Sequence, residues 1–283
     1  MTVHTGPRPT GTPTWVDLMV PDLGAATTFY GAVLGWEFPP AGARALPGGL
    51  TYLSATRDGH VVAGIGAVAA GIGADDTPQE GPAPAWATYL ATDDVEATTA
   101  AAVAAGATVL VPPDSVGSTG SFAWLLDPTG AVFCLWQAGE HTGAGLTDEP
   151  GSMAWNELLT NDVEAAKGFY ATVFGWTYDD ISEPDFSYAT FAVGGQLAGG
   201  LGALDSMRAA GDQPRWLVYF KVADADDAAA SAAANGGTVV ADPWDSEYGR
   251  LAVLGGPAGE TFAIIADAAL DDATLEDGVV GTT

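Results

Sequence analysis

The segment Trp15-Val-Asp-Leu-Met-Val-Pro-Asp22 returns 140 residues later as Trp155-Asn-Glu-Leu-Leu-Thr-Asn-Asp162. At the same offset Phe29-Tyr30 matches Phe169-Tyr170, and Gly35-Trp36 matches Gly175-Trp176. A slightly shorter offset aligns Gly59-His60 with Gly195-Gln196, and the Gly-Ile-Gly of 64–66 with the Gly-Leu-Gly of 200–202. So many matches in one order identify an internal duplication, which constrains the architecture before any local pattern is read. Two homologous domains are expected over 14–138 and 153–266. The Gly-, Thr- and acid-rich stretch 139–152 reads as a linker, and 267–283 as an acidic tail.

Each domain repeats a weaker unit. Strands opening at Trp15, Trp86, Trp155 and Trp216 all lead to an aspartate and then to a helical stretch. Asp22, Asp94, Asp162 and Asp224 are natural N-caps, because a short carboxylate accepts the free N–H groups of a first helical turn. Ala26, Phe29, Tyr30 and Val33 follow with helical spacing. Alternating runs come next, and Asp58-Gly59 is a hairpin turn between two of them. The order β-α-β-β-β recurs four times, an α+β class.

Charge and composition narrow the function. The chain has 8 Lys+Arg against 36 Asp+Glu, a net −28. Such a surface repels phosphate backbones and anionic lipid, so no nucleic-acid or membrane partner is expected, and a neutral, cationic or apolar ligand is. One cysteine (Cys134) excludes an intrachain disulfide, and three histidines leave little for a metal centre. A Ser-His-Asp triad would need His60 or His141. No apolar run reaches the ~18–20 residues of a membrane span. Without a signal-like start the chain reads as cytoplasmic, as a monomer or homodimer.

Strand alternation sorts the side chains. Val16, Leu18 and Val20 form an apolar face suited to packing under helices. Trp15, Asp17 and Met19 then face the opposite way, as do Trp155, Glu157 and Leu159 in the second domain. The fifth strands offer Ala87, Tyr89 and Ala91, or Leu217, Tyr219 and Lys221. The eighth offer Val132, Cys134 and Trp136, or Thr261, Ala263 and Ile265. Each domain thus pairs a carboxylate with a phenol, Asp17 with Tyr89 and Glu157 with Tyr219. A carboxylate beside indole resists ionisation, which suits a general base, and a phenol can donate to a developing oxyanion. The same pair also reads as a structural hydrogen bond, and Glu157 with Lys221 as a closed ion pair.

The strand-Asp-helix unit ending in Phe-Tyr-x4-Gly-Trp (Asp22 to Trp36, Asp162 to Trp176), with Asp127-Pro-x-Gly130 before the last strand, resembles the vicinal oxygen chelate superfamily of glyoxalases, bleomycin-resistance proteins and extradiol dioxygenases. It is most similar to tandem-domain members labelled glyoxalase-like or hydroxylase. The resemblance covers 14–266 and implies that two βαβββ modules per domain form an eight-stranded open cup with its helices outside. Metal-using relatives place His, Gln or Glu on the first and fifth strands and Glu on the eighth, with another Glu on the third or fourth. Those positions hold Trp15 and Trp155, Ala87 and Leu217, Cys134 and Ala263, and 61–68 and 197–204 contain no acid. No metal and no other cofactor is therefore expected.

Two function classes remain open. One is a metal-independent enzyme of small-molecule metabolism acting on a hydrophobic, possibly aromatic carbonyl compound, with Asp17, Tyr89, Glu157 and Tyr219 as acid–base groups. Its binding residues would be Trp15, Met19, His60, Cys134, Trp136, Trp155, Leu159, Lys221 and Arg250. The other is a non-catalytic protein that sequesters a drug-like molecule. A metal-dependent glyoxalase or dioxygenase is a third possibility. The first cup, where Asp17 faces Ala91 rather than a lysine, is the favoured one.

Overall fold

A computed structural model describes residues 2–46, 50–67, 71–72, 78–79, 83–184, 186–206, 211 and 213–268. The first half runs β1 (Pro13–Val20), α1 (Leu23–Leu34), β2 (Ala43–Leu46), β3 (Leu50–Arg57), β4 (His60–Ala67), β5 (Trp86–Ala91), α2 (Val95–Ala104), β6 (Thr108–Ser115), β7 (Gly120–Leu126) and β8 (Val132–Ala138). The second half repeats it as β9 (Met153–Thr160), α3 (Val163–Phe174), β10 (Thr177–Asp180), β11 (Tyr188–Val193), β12 (Gln196–Ala203), β13 (Arg215–Lys221), α4 (Ala225–Ala234), β14 (Thr238–Ser246), β15 (Gly249–Gly255) and β16 (Thr261–Ala266).

The sheets have the same order, β2-β3-β4-β1-β5-β8-β7-β6 and β10-β11-β12-β9-β13-β16-β15-β14. The two modules of each half therefore meet along their first strands, antiparallel, with Trp15 opposite Tyr89 and Trp155 opposite Tyr219. The tandem α+β domains expected from the repeat, and the cups that the family resemblance implies, are present. Arg44, on the edge strand β2, donates to Thr119 Oγ1 at 2.6 Å, just before β7 near the opposite edge, so the first sheet curls until its two modules touch across the mouth.

Local chemistry sets the element ends. All four aspartates cap as expected, Asp22 accepting from Ala25 N, Asp94 from Ala97 N, Asp162 from Ala165 N and Asp224 from Asp226 N and Asp227 N. The Asp58-Gly59 turn takes φ of 51° and 79°, the doubly left-handed geometry that joins β3 to β4 tightly.

The helices lie against the convex faces and bind the halves together. Val16, Leu18, Val20, Phe29 and Tyr30 share one buried cluster with Val218, Phe220, Phe262 and the alanines of α4. Polar bonds repeat across this seam with pseudo-twofold reciprocity. Tyr30 Oη donates to Glu260 Oε1 at 2.8 Å, and Tyr170 Oη to Asp127 Oδ2 at 3.0 Å. Trp36 Nε1 donates to the Gly151 carbonyl at 2.6 Å, and Trp176 Nε1 to the Gly11 carbonyl at 3.1 Å. The duplicated Phe-Tyr residues and the two tryptophans are thus core; each Tyr bonds the other domain, and each Trp the segment that precedes it.

The segment 139–152 is more than a spacer. Leu146–Thr147 pairs with Thr2–Val3 and with Met153, extending the second sheet to ten strands. Arg8 pins it, donating to Thr14 O at 2.7 Å and to Ala144 O at 3.0 Å. Apart from Asp267 and Ala268, the expected acidic tail lies outside the described residues.

Candidate active site

Trp15, Asp17 and Met19 leave β1 on the side opposite Val16, Leu18 and Val20, as the alternation requires, and enter the concave face. There Trp15, Tyr89, Cys134 and Trp136 form a buried aromatic cluster, with Ala87, Phe122 and Trp124 packed against it. Asp17 lies among them, only 6% exposed.

Two phenols hold Asp17. Tyr89 Oη and Tyr52 Oη each donate to Oδ2 at 3.1 Å, and Trp15 Nε1 donates to Tyr52 Oη at 3.1 Å. Oδ1 is buried and accepts no hydrogen bond from the described residues. The second cup repeats the motif. Tyr219 Oη donates to Glu157 Oε2 at 2.7 Å, Tyr188 Oη donates to the same oxygen at 3.3 Å, and Trp155 Nε1 donates to Tyr188 Oη at 3.1 Å.

Tyr52 and Tyr188 were not among the sequence candidates. They sit on β3 and β11, 136 residues apart, the offset that relates His60 to Gln196. Glycine makes their position possible: a Cβ at Gly64 would collide with the Tyr52 hydroxyl, and one at Gly200 with the Tyr188 hydroxyl. The glycines of β4 and β12 serve close approach here, not phosphate binding.

Burial pushes the Asp17 carboxyl up to about 7 despite the opposing pull of the two phenol hydrogen bonds. Burial likewise raises Glu157 to about 7 against the bonds from Tyr219 and Tyr188. Burial, then the nearby carboxylates, drives Tyr89 and Tyr219 well above the ordinary phenol value. Each cup therefore holds a carboxyl that exchanges its proton near neutral pH, beside phenols that stay protonated.

The other candidates divide. Cys134 is fully buried opposite Tyr89, its thiol pushed well up by burial and then by Asp17, so it is a small apolar wall rather than a nucleophile. Trp136 closes the cup, its Nε1 bonded to His141 O at 2.9 Å. The His141 ring, missed as a cup residue because it belongs to the 139–152 segment, stands edge-on to Trp15 at 4.4 Å. Burial lowers its pKa to about 4, so it is neutral at pH 7. Met19 lies against Gly66, and Trp155 and Leu159 line the second cup.

Three further candidates make their contacts elsewhere. His60 sits at the β3–β4 hairpin end opposite Arg57. Lys221 Nζ pairs with Asp267 at 2.8 Å, not with Glu157, because the chain after β16 brings that acid alongside. Arg250 is held at 2.9 Å by both Asp245 and Asp226, the latter at the N-terminus of α4 on the helix side of the sheet.

The positions that the family resemblance assigns to metal donors do not suit a divalent ion. Two are indoles that donate to Tyr52 and Tyr188, and the rest are Ala87, Leu217, Cys134 and Ala263. Among the described residues no three His, Cys, Asp or Glu side chains converge. None of their helices is long and apolar enough to cross a membrane.

Comparison with known proteins matches this picture. Residues 14–136 fit the model of a glyoxalase-like domain, and 152–264 that of the glyoxalase/bleomycin resistance protein/dioxygenase superfamily. A protein of Mycobacterium tuberculosis described as "Putative glyoxylase CFP32" is 39% identical over 260 residues, covering 90% of this chain and 94% of that one. The anthracycline biosynthesis protein DnrV of Streptomyces peucetius is 33% identical over 268 residues, covering 90% and 93%. In fold, the 2,3-dioxygenase LapB from Pseudomonas sp. KL28 superposes with a TM-score of 0.60 at 16% identity, covering 93% of this chain and 94% of that one. The Mn(II)-bound glyoxalase from Novosphingobium aromaticivorans gives 0.59 at 17% identity, covering 93% and 85%. With both cups matched by family models and full-length relatives above 30% identity, the chain belongs to the glyoxalase/bleomycin resistance protein/dioxygenase superfamily, the vicinal oxygen chelate proteins, as a tandem-domain member.

Proposed function

We propose that the protein is a metal-independent acid–base catalyst of secondary metabolism, isomerising a hydrophobic aromatic carbonyl compound in its first cup. The observation that carries this reading is the buried Asp17 carboxyl, poised near pH 7, with one oxygen tied to two phenols and the other without a partner among the described residues. In the ionised form, Oδ1 takes a proton from the carbon beside the substrate carbonyl. The C–H electron pair moves into the new C=C bond, and the carbonyl π pair onto oxygen. The acid then returns the proton to that oxygen or to another carbon of the conjugated system, so the reaction is a net isomerisation. Tyr52 and Tyr89 hold the carboxylate and lower the cost of its charge. Trp15 orients Tyr52, and the surrounding indoles exclude water. The relatives named for anthracycline biosynthesis support an aromatic substrate of this class.

The test is deuterium incorporation at the benzylic carbon of 2-tetralone in D2O, followed by NMR. Wild type should exceed the buffer rate, with a rise centred near pH 7, and Asp17→Asn should fall to the buffer rate. Equal rates for the two proteins contradict the reading. A binding-only role draws on the aromatic walls, and it predicts ligand affinity without exchange.

A further inference from the structure

The two cups share the Trp-Tyr-carboxylate-Tyr motif but differ around it. In the first, Trp124 on β7 stands opposite Cys134, while the corresponding pair in the second cup is Val253 opposite Ala263. Trp136 is likewise replaced by Ile265. Two buried polar atoms of the first cup have no partner among the described residues, the acceptor Asp17 Oδ1 and the donor Trp124 Nε1. A buried donor or acceptor left without a partner destabilises the fold. Natural proteins keep such a group where something else completes it. Here a complementary pair is set into walls made of Trp15, Tyr89 and Trp136 rings, under a net charge of −28 that repels anions.

Taking from the functional reading only that the first cup is the working one, we infer that this cup binds an uncharged planar aromatic compound carrying both a hydroxyl and a carbonyl, the hydroxyl donating to Asp17 Oδ1 and the carbonyl accepting from Trp124 Nε1. The rings supply stacking faces, and the two polar ends fix the orientation. The second cup, with Val253 and Ile265 in place of those two indoles, lacks the counterpart of the Trp124 donor and serves as scaffold. Specificity for the class follows from the cost of mismatch. A ligand without the hydroxyl leaves Oδ1 unsatisfied, and one without the carbonyl leaves the indole N–H so.

The experiment is isothermal titration of the full chain with three fluorescent probes: 6-hydroxy-2-acetylnaphthalene, its methyl ether, and 2-naphthol. The hydroxy ketone should bind one-to-one. The methyl ether, which cannot donate, should bind about tenfold more weakly, the equivalent of one hydrogen bond. Trp124→Phe keeps the ring and removes the donor. It should weaken the hydroxy ketone about tenfold while leaving 2-naphthol, which has no carbonyl, unchanged. Glu157→Gln should change neither. The inference is overturned if no probe binds, if the methyl ether binds as tightly as the phenol, if two molecules bind per chain, or if Trp124→Phe weakens both ligands equally. The comparison of phenol with ether uses the unaltered protein, so it stands even if a variant misfolds. Because these readings need no turnover, correct binding with no tetralone exchange removes the catalytic reading and keeps the ligand class; exchange with failed binding does the reverse.

Discussion

Replacing Asp17 by asparagine should change how stability depends on pH. An unfolded chain ionises this residue near 3.8, whereas burial in the folded cup holds it at about 7. Between those values the native state keeps a proton that the unfolded state has released. Stability therefore falls as pH rises, by about 1.4 kcal/mol per unit for this one group. The contribution is fully present below the unfolded pKa and is lost by the time pH passes the folded one. Across the whole window the loss is about 4 kcal/mol, a large share of a domain's typical 5–15 kcal/mol. Asparagine cannot titrate, so Asp17→Asn lacks this slope. Urea unfolding from pH 5 to pH 8, followed by tryptophan fluorescence, isolates the term, since every other carboxylate is common to both proteins. The variant should gain on wild type by about 2 kcal/mol from pH 5 to pH 7 and then level off. Curves that run parallel over the range would refute a buried, proton-retaining Asp17.

Tyr89→Phe removes a hydrogen bond that favours the ionised carboxyl, so it should move the Asp17 midpoint above 7, read by NMR titration; a downward shift would contradict the assignment. Gly64→Ala should push the Tyr52 hydroxyl off Asp17 and cost about 1–3 kcal/mol, measured by thermal unfolding; unchanged stability would contradict the close approach. Tyr170→Phe strips the cross-domain bond from buried Asp127 and should lower stability by about 1–3 kcal/mol in differential scanning calorimetry, with tetralone exchange intact.

The duplication made the architecture legible, because one βαβββ unit found four times dictates four capping aspartates and two matched sheets. Alternation along the first and fifth strands turned Asp17, Tyr89, Glu157 and Tyr219 inward, since the opposite phase is mostly apolar, and its exceptions Thr88 and Asn156 bond each other at 3.1 Å. Tyr52 and Tyr188 carried a usable signal, their shared offset with His60 and Gln196, but their strands were read only as hairpin arms. Trp124 needed the phase of β7 relative to Cys134, which the bulged pairing of β6 with β7 obscures. His141, Lys221 and Arg250 were not legible. Each is placed by a segment or partner whose position depends on tertiary packing: the return of 139–152 over the cup, Asp267 beyond β16, and the first turn of α4. The reciprocal Trp36–Gly151 and Trp176–Gly11 bonds also join distant residues and have no local signature.

The account stands on the first hollow keeping one acid that trades its proton close to neutrality. Carbon-13 NMR of protein labelled at the aspartate side-chain carboxyl reads this directly, the Asp17 resonance being the one missing from Asp17→Asn. A titration midpoint near 7 is the predicted result. A midpoint near 4, like that of an exposed aspartate, would contradict it.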